Sequence, residues 1–273
     1  MDLGVVLGGD LASIGGLAAD AERAGFESVW VAETARSAFV QAAIVAGATS
    51  RVTIGTDIAL AFPRSPTITA MTARDLAELS RGRFVLGLGT QVKRVNEERF
   101  GVPFEHPAPR IAEAVDAIRA VLGTFAGRPI AHRGRFYSIT MPPFPGAGPP
   151  PGETIPIYLA GVNRLMAETA GRTADGVLGH PMTSPRYVRE VLRPAVRRGA
   201  IAAGRTPDDV NVSTGVILQM SHDREQARLE AAGQVGFYAT TRTYRPVLAL
   251  HGHQDRIEAL RDALGVGDLP RLA

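Results

Sequence analysis

The chain has 273 residues, is 45% hydrophobic and contains no cysteine, a length that suits an α/β barrel of about 250 residues and leaves no disulfide framework, thiolate nucleophile or cysteine metal site. The net charge is only +3, and all but one of the 30 basic residues are arginines scattered through helical patterns, Lys93 being the exception; with no basic run interleaved with aromatics, nucleic-acid binding is not expected. No apolar run nears the roughly 20 residues that span a bilayer, and MDLGVVLGGD lacks the basic start of a signal peptide, so a soluble cytoplasmic protein is expected.

Short apolar runs alternate with longer helical patterns. Residues 3–7 read as a first strand, followed by a helix near 17–24 that stops at Gly25. Residues 26–32 (FESVWVA) are the second strand and 39–48 its helix. In the third strand, 52–60, Val52, Ile54, Ile58 and Leu60 share one face, while the small or polar Thr53, Gly55, Asp57 and Ala59 share the other. An outer face covered by helices and an inner face of modest side chains suits a barrel strand. Ser65-Pro66 opens a helix as N-cap and first residue, with Ile68, Met71, Leu76 and Leu79 as its apolar face and Gly82 beyond its end. Residues 84–89 form the fourth strand, and 110–122 a helix with Ile111, Val115, Ile118 and Leu122 at helical spacing. Alternation breaks over about 124–153, an insertion between the fourth and fifth units. It holds a small hairpin within 127–139 and the loop MPPFPGAGPPPGE, either a surface connection or an active-site lid. Strands at 155–160, 176–179 and 210–218 follow, with helices at 164–173, near 186–203 and from 223. Seven strands are countable in one domain, 1–273, and βα repetition implies a parallel sheet covered by helices.

In such a barrel the catalytic face lies at the C-terminal ends of the strands. Those ends carry Glu33-Thr34, then Ala61, Phe62, Pro63 and Arg64, then Thr90-Gln91 with Lys93, then Gly161, Val162 and Asn163, and lastly His180-Pro181. Gly87-x-Gly89 is neither a P-loop, which needs Gly-Lys-Ser/Thr, nor a dinucleotide fingerprint, whose third small residue is Val92 here. Two such glycines either let the strand pack closely or thin the wall where a flat ligand could approach backbone. Ala160-Gly161 runs into a helix, so free N–H groups and the helix dipole could face an anion, unless Gly161 is merely a turn. Glu33 and His180 are open to the same two readings, functional or solvated loop. No histidine spacing fits a metal site and no Gly-x-Ser-x-Gly elbow occurs. Phe62, Phe100, Phe104 and Phe144 fit an apolar acceptor pocket or plain core packing.

The stretch DLAELSRGRFVLGLGT, with GFESVWVAE before it and AGRTADGV after it, resembles the signature of the luciferase-like monooxygenase superfamily. The resemblance runs from residue 3 to about 250. It implies a TIM (β/α)8-type barrel that binds FMN or the deazaflavin coenzyme F420. LGLGTQVKRVNEERFGVPFEHPAPRI and GFYATTRTYRPVLALHG are most similar to the actinobacterial F420 group, so an F420-dependent oxidoreductase acting on a small organic substrate is expected. An FMN-dependent monooxygenase and a non-catalytic flavin-binding relative are the alternatives. By the same resemblance, Ala61-Phe62 falls at a non-proline cis peptide that backs the ring, Thr90 lines the cofactor site, and Ala160, Gly161 and Val162 form the phosphate loop with His180 near it. Glu33-Thr34 stands where many relatives have an acid-His pair, leaving Glu33, Gln91 and Lys93 as the catalytic candidates. Family members continue past the seventh unit with another strand, whereas QDRIEALRDALGVGDLPRLA supplies one amphipathic helix. The final βα unit is therefore expected to be lacking or atypical, with the gap covered by a C-terminal segment or a partner in a homodimer.

Overall fold

In the computed structural model, which describes residues 2–146, 148–151 and 154–266, strand runs and helix starts fall close to where apolar and capping residues put them. The first half runs β1 (Gly4–Leu7), α1 (Ile14–Arg23), β2 (Ser28–Val31), α2 (Ala38–Ala48), β3 (Thr53–Thr56), β4 (Ala59–Leu60), α3 (Pro66–Leu79) and β5 (Phe84–Gly89). Next come α4 (Lys93–Arg99), α5 (Pro107–Phe125), the antiparallel hairpin of β6 (Ile130–Arg133) and β7 (Ser138–Met141), then β8 (Ile157–Ala160), α6 (Arg164–Thr173) and β9 (Gly176–Gly179). α7 (Pro185–Tyr187) and α8 (Arg193–Ala202) are joined by a π turn, Val188–Leu192; after them come β10 (Asn211–Thr214), α9 (Arg224–Ala239), α10 (Arg245–Leu250) and α11 (Ile257–Gly265). Side-chain oxygens of Ser65, Asn163 and Asp223 accept backbone N–H groups at the starts of α3, α6 and α9, satisfying donors that a helix leaves orphaned.

The seven expected strands pair in parallel in the order β1-β2-β3-β5-β8-β9-β10, with β4 beside β5. Among the described residues β1 and β10 are the sheet's two edges. Residues 233–250 continue α9 and then form α10, so no further strand lies there. Leu3 and Val6 at one edge are 57% and 52% exposed, and Val216, Leu218 and Met220 beyond the other are 82%, 77% and 87% exposed. The expected end of the chain after Gly265 lies largely outside the described residues.

Between the convex face and the helices, Ile54, Leu86, Leu88, Ile157, Leu159 and Val177 are fully buried with Val45 of α2 and Ile111 and Val115 of α5. Each such side chain contributes about 1.5–3 kcal/mol. α3 corrects the sequence expectation. Only Leu76 of its four expected core residues is buried, while Ile68, Met71 and Leu79 are 52%, 38% and 50% exposed. Ala70, Ala73 and Ala77 form the buried face instead, because small residues let the helix lie close against its neighbours. On the concave side, the rings of Trp30 (β2) and Tyr158 (β8) lie 6.1 Å apart across two intervening strands. A β-carbon at Gly55 would overlap the Trp30 ring. Among the described residues no helix is long and apolar enough to cross a membrane.

Candidate active site at the strand ends

β3 and β4 are one strand interrupted by a bulge. Gly55 pairs with Val85 and Ala59 with Leu88, four steps along one strand against three along the other. The extra residue falls at Thr56 to Ile58, and the non-proline cis bond lies there, at Asp57-Ile58, rather than at Ala61-Phe62 where the resemblance put it. Ala61 and Phe62 instead join the buried core, Ala61 still bonded to the Gly89 carbonyl and Phe62 edge-on to Phe104 with Arg110 above its ring. The chain turns at 57–58 because there it passes from β2's neighbour to a shifted register on β5.

The bulge also explains Gly87-x-Gly89. The Thr56 hydroxyl accepts the Gly87 N–H at 2.9 Å and donates to the Gly87 carbonyl at 2.7 Å. A β-carbon on Gly87 would overlap the Thr56 carbonyl oxygen, and one on Gly89 would overlap Ile58 Cδ1. These glycines admit the neighbouring strand's bulge, so the expected thin wall for a ligand is filled by protein. The bulge swaps the strand's faces as well. Before it, Gly55 is concave, against Trp30; after it, Ile58 lies over the concave Gly89, while Ala59 joins the convex core. Asp57 and Ile58 therefore share the concave side, where unbroken alternation separated them.

Asp57 keeps its N–H in the ladder, 2.9 Å from the Val31 carbonyl. Its half-buried side chain accepts no hydrogen bond from the described residues. Burial alone pushes the carboxyl up to about 6. Sequence reading placed Asp57 on the inner face but left it out of the site; the period-2 pattern was the available signal.

Glu33 is differently employed. Its Oε1 takes Arg64 Nη2 at 2.5 Å, and its Oε2 takes Arg64 Nη1 at 2.7 Å and the Leu60 N–H at 2.8 Å. With its side chain 7% exposed, this fork-to-fork pair clamps β2's end to the turn after β4. Beyond β5, Thr90 donates to the Gln91 carbonyl, and Gln91 (φ +55°) turns its own Oε1 back to the Val92 N–H. Asn96 fixes that turn through the Thr90 and Val92 carbonyls. Lys93 opens α4, with its side chain 70% exposed and an ion pair to Glu97. Among the described residues no hydrogen bond or ion pair joins Glu33, Gln91 and Lys93 to one another. Phe144 stacks on Phe125 and Phe100 is exposed, so the four phenylalanines do not share a pocket either.

At β8, Ala160 leads to Gly161, whose N–H is bonded to the Leu178 carbonyl in the sheet and is not free for an anion. The next turn offers the donors instead. Asn163 Oδ1 takes the Met166 N–H, leaving Arg164 and Leu165 as the first two helical N–H groups, which have no acceptor within a helix. The Tyr187 hydroxyl donates to the Val162 carbonyl at 3.0 Å and holds the loop. A groove of about 450 Å³ opens here, lined by Asn163, Arg164, Leu165, Tyr187, Pro246 and Leu250 among others.

His180, beyond β9, accepts the Met182 N–H at Nδ1. Tyr238 stands edge-on to its ring at 4.5 Å and Tyr244 lies at 4.4 Å. Burial drives the imidazole down to about 4, so at neutral pH the ring is uncharged and its proton sits on Nε2. The two tyrosines come from the GFYATTRTYRPVLALHG segment, whose contact with His180 is not legible in sequence. A Ser184–His251 hydrogen bond ties that segment to α7. Among the described residues no cluster of His, Asp and Glu could hold a metal.

The family described as luciferase-like monooxygenase matches residues 2–271. An uncharacterised protein of Mycobacterium tuberculosis is 41% identical over 241 residues, 86% of this chain and 70% of its own length. The 5,10-methylenetetrahydromethanopterin reductase of Archaeoglobus fulgidus is 31% identical over 252 residues, 89% and 71% of the two chains. The solved structure of the coenzyme F420-dependent tetrahydromethanopterin reductase from Methanopyrus kandleri superposes with a TM-score of 0.84 at 24% identity, covering 100% of this chain and 82% of that one.

Proposed function

Because the chain belongs to the luciferase-like monooxygenase family, we propose that it is an oxidoreductase that uses coenzyme F420 for hydride exchange with a small organic substrate. The observation that carries this reading is the groove at the start of α6, where helical N–H groups, Arg164 and apolar walls meet beside the strand ends. That donor set suits a cofactor with an anionic tail, and the F420-dependent glucose-6-phosphate dehydrogenase of Kineococcus radiotolerans, 29% identical over 221 residues, favours a deazaflavin over FMN. The Arg164 and Leu165 N–H groups would hold the phosphate, with Ala160, Gly161 and Val162 shaping the loop. Ile58 would offer an apolar rest on the concave face, Thr90 and Gln91 would edge the mouth, and His180 would present Nε2–H as a neutral donor. A reduced deazaflavin, when bound, supplies a hydride; the chain's part is to position it and to manage protons. Glu33 serves here as the clamp on Arg64, and the open sheet edges support a homodimer in which a second copy covers the exposed β1 side.

The test is a spectral titration of the purified protein with oxidised coenzyme F420 and with FMN, the sole tryptophan, Trp30, reporting on the concave wall. F420 binding tighter than FMN is expected. FMN binding as tight or tighter, with NADPH-driven oxygen consumption, would make the protein a flavin monooxygenase. Binding of neither would end the oxidoreductase reading.

A further inference from the structure

Among the acidic groups brought to the strand ends, one has no structural task. Glu33 is held by Arg64 and the Leu60 N–H. Asp57, on the adjacent strand, has no partner among the described residues although its side chain is half-buried and its backbone is fixed in the ladder. An unpaired, partly desolvated carboxyl is costly unless it serves something, and bulges re-aim side chains at functional sites. The strand's alternation puts Asp57 on the concave side, and the bulge brings Ile58, the residue over Gly89, to that same side.

We propose that Asp57 is the catalytic residue that exchanges a proton with the substrate. This rests on the oxidoreductase reading above. In the reducing direction the O–H bond of the Asp57 carboxyl breaks and an O–H bond forms at the acceptor's carbonyl oxygen. The acceptor carbon takes the hydride of the reduced coenzyme, and the Asp57 carboxylate regains its proton from water at the open mouth. In the oxidising direction the carboxylate takes the proton of an alcohol. Three other titratable groups at the strand ends are already paired, and His180 keeps only Nε2–H. Glu33 and Arg64 pair with each other, Lys93 pairs with Glu97 on the outer side of α4, and His180 spends Nδ1 on the Met182 N–H. Burial without a nearby charge leaves Asp57 protonated in part near neutral pH, as a general acid requires.

Carbodiimide coupling with glycine ethyl ester at pH 7, read by peptide mass spectrometry, tests this without a known substrate. Asp57 should label at least tenfold faster than Glu33 in the coenzyme-free protein, and saturating F420, or FMN if that binds better, should protect it at least fivefold. Asp57→Asn should keep coenzyme affinity within about threefold. It should slow oxidation of reduced coenzyme by a panel of small ketones and enones about 100-fold or more, with Asp57→Glu falling between. Absent or unprotected labelling of Asp57 in a protein that binds coenzyme overturns the assignment alone, as does an Asp57→Asn variant of undiminished rate. Failure of both coenzymes to bind overturns the oxidoreductase reading and this assignment with it, and is told apart because labelling is first measured without coenzyme.

Discussion

Replacing Arg64 with methionine keeps most of the side-chain volume and removes the guanidinium from Glu33. The carboxylate left behind has a side chain only 7% exposed, and of the three hydrogen bonds it accepts only that from the Leu60 N–H remains. Breaking a buried pair from one side costs about 3–5 kcal/mol. Arg64 itself is 25% exposed, so water reaches one flank and the lower end, about 3 kcal/mol, applies. For a chain of this size that corresponds to a fall in Tm of about 6–12 °C. Glu33→Gln retains an acceptor for Leu60 and leaves the guanidinium in contact with water, so it should cost less, about 1–2 kcal/mol. The double variant should lose less than the sum of the two, since each single change strands a partner. Thermal melts of the four proteins decide it. A melt of Arg64→Met within about 2 °C of the parent would refute the clamp and return Glu33 to the list of proton donors.

Asp57 makes stability depend on pH. Its carboxyl is raised from 3.8 to about 6 in the folded protein, so its favourable contribution is complete below 3.8 and is lost as pH rises through about 6, a difference of at most about 3 kcal/mol. Asp57→Asn should therefore resist more urea than the parent at pH 8 but not at pH 4; a gap independent of pH would contradict this. Gly87→Ala should lower soluble yield or melt early, because its β-carbon has no room beside the Thr56 carbonyl, whereas Gly47→Ala, with open space around it, should be neutral or gain about 0.5–1 kcal/mol. If a second copy covers the open edge, dilution in analytical ultracentrifugation should lower both the apparent mass and the Tm, and a concentration-independent monomer would exclude it.

Much of the architecture was legible because its signals are local. The βα alternation, the Ser65-Pro66 helix start and the Asn163 cap lie within a few residues of sequence, and the seven strands follow from them. The site was less legible because its decisive contacts are not local. Thr56 reaches Gly87 across 31 residues, Glu33 reaches Arg64 across another 31, and His180 meets Tyr238 and Tyr244 from a distant helix. A bulge cannot be seen in a period-2 pattern, since the pattern assumes that no residue is extra. That is why Asp57 and Ile58 were placed on opposite faces. The apolar face of α3 was misread for a related reason: hydrophobicity favoured Ile68, Met71 and Leu79, whereas close packing favoured the alanines.

On the proposed reading, a deazaflavin sits in the strand-end basin with its phosphate on the start of α6. Isothermal titration of coenzyme F420 against its phosphate-free deazaflavin core, in the parent protein and in Arg164→Glu, decides whether it does. The phosphate-bearing form should bind at least about tenfold tighter, an advantage of roughly 1.4 kcal/mol, and Arg164→Glu should remove most of that advantage while leaving the core's affinity unchanged. Equal affinity for the two forms, or an advantage untouched by Arg164→Glu, would contradict it.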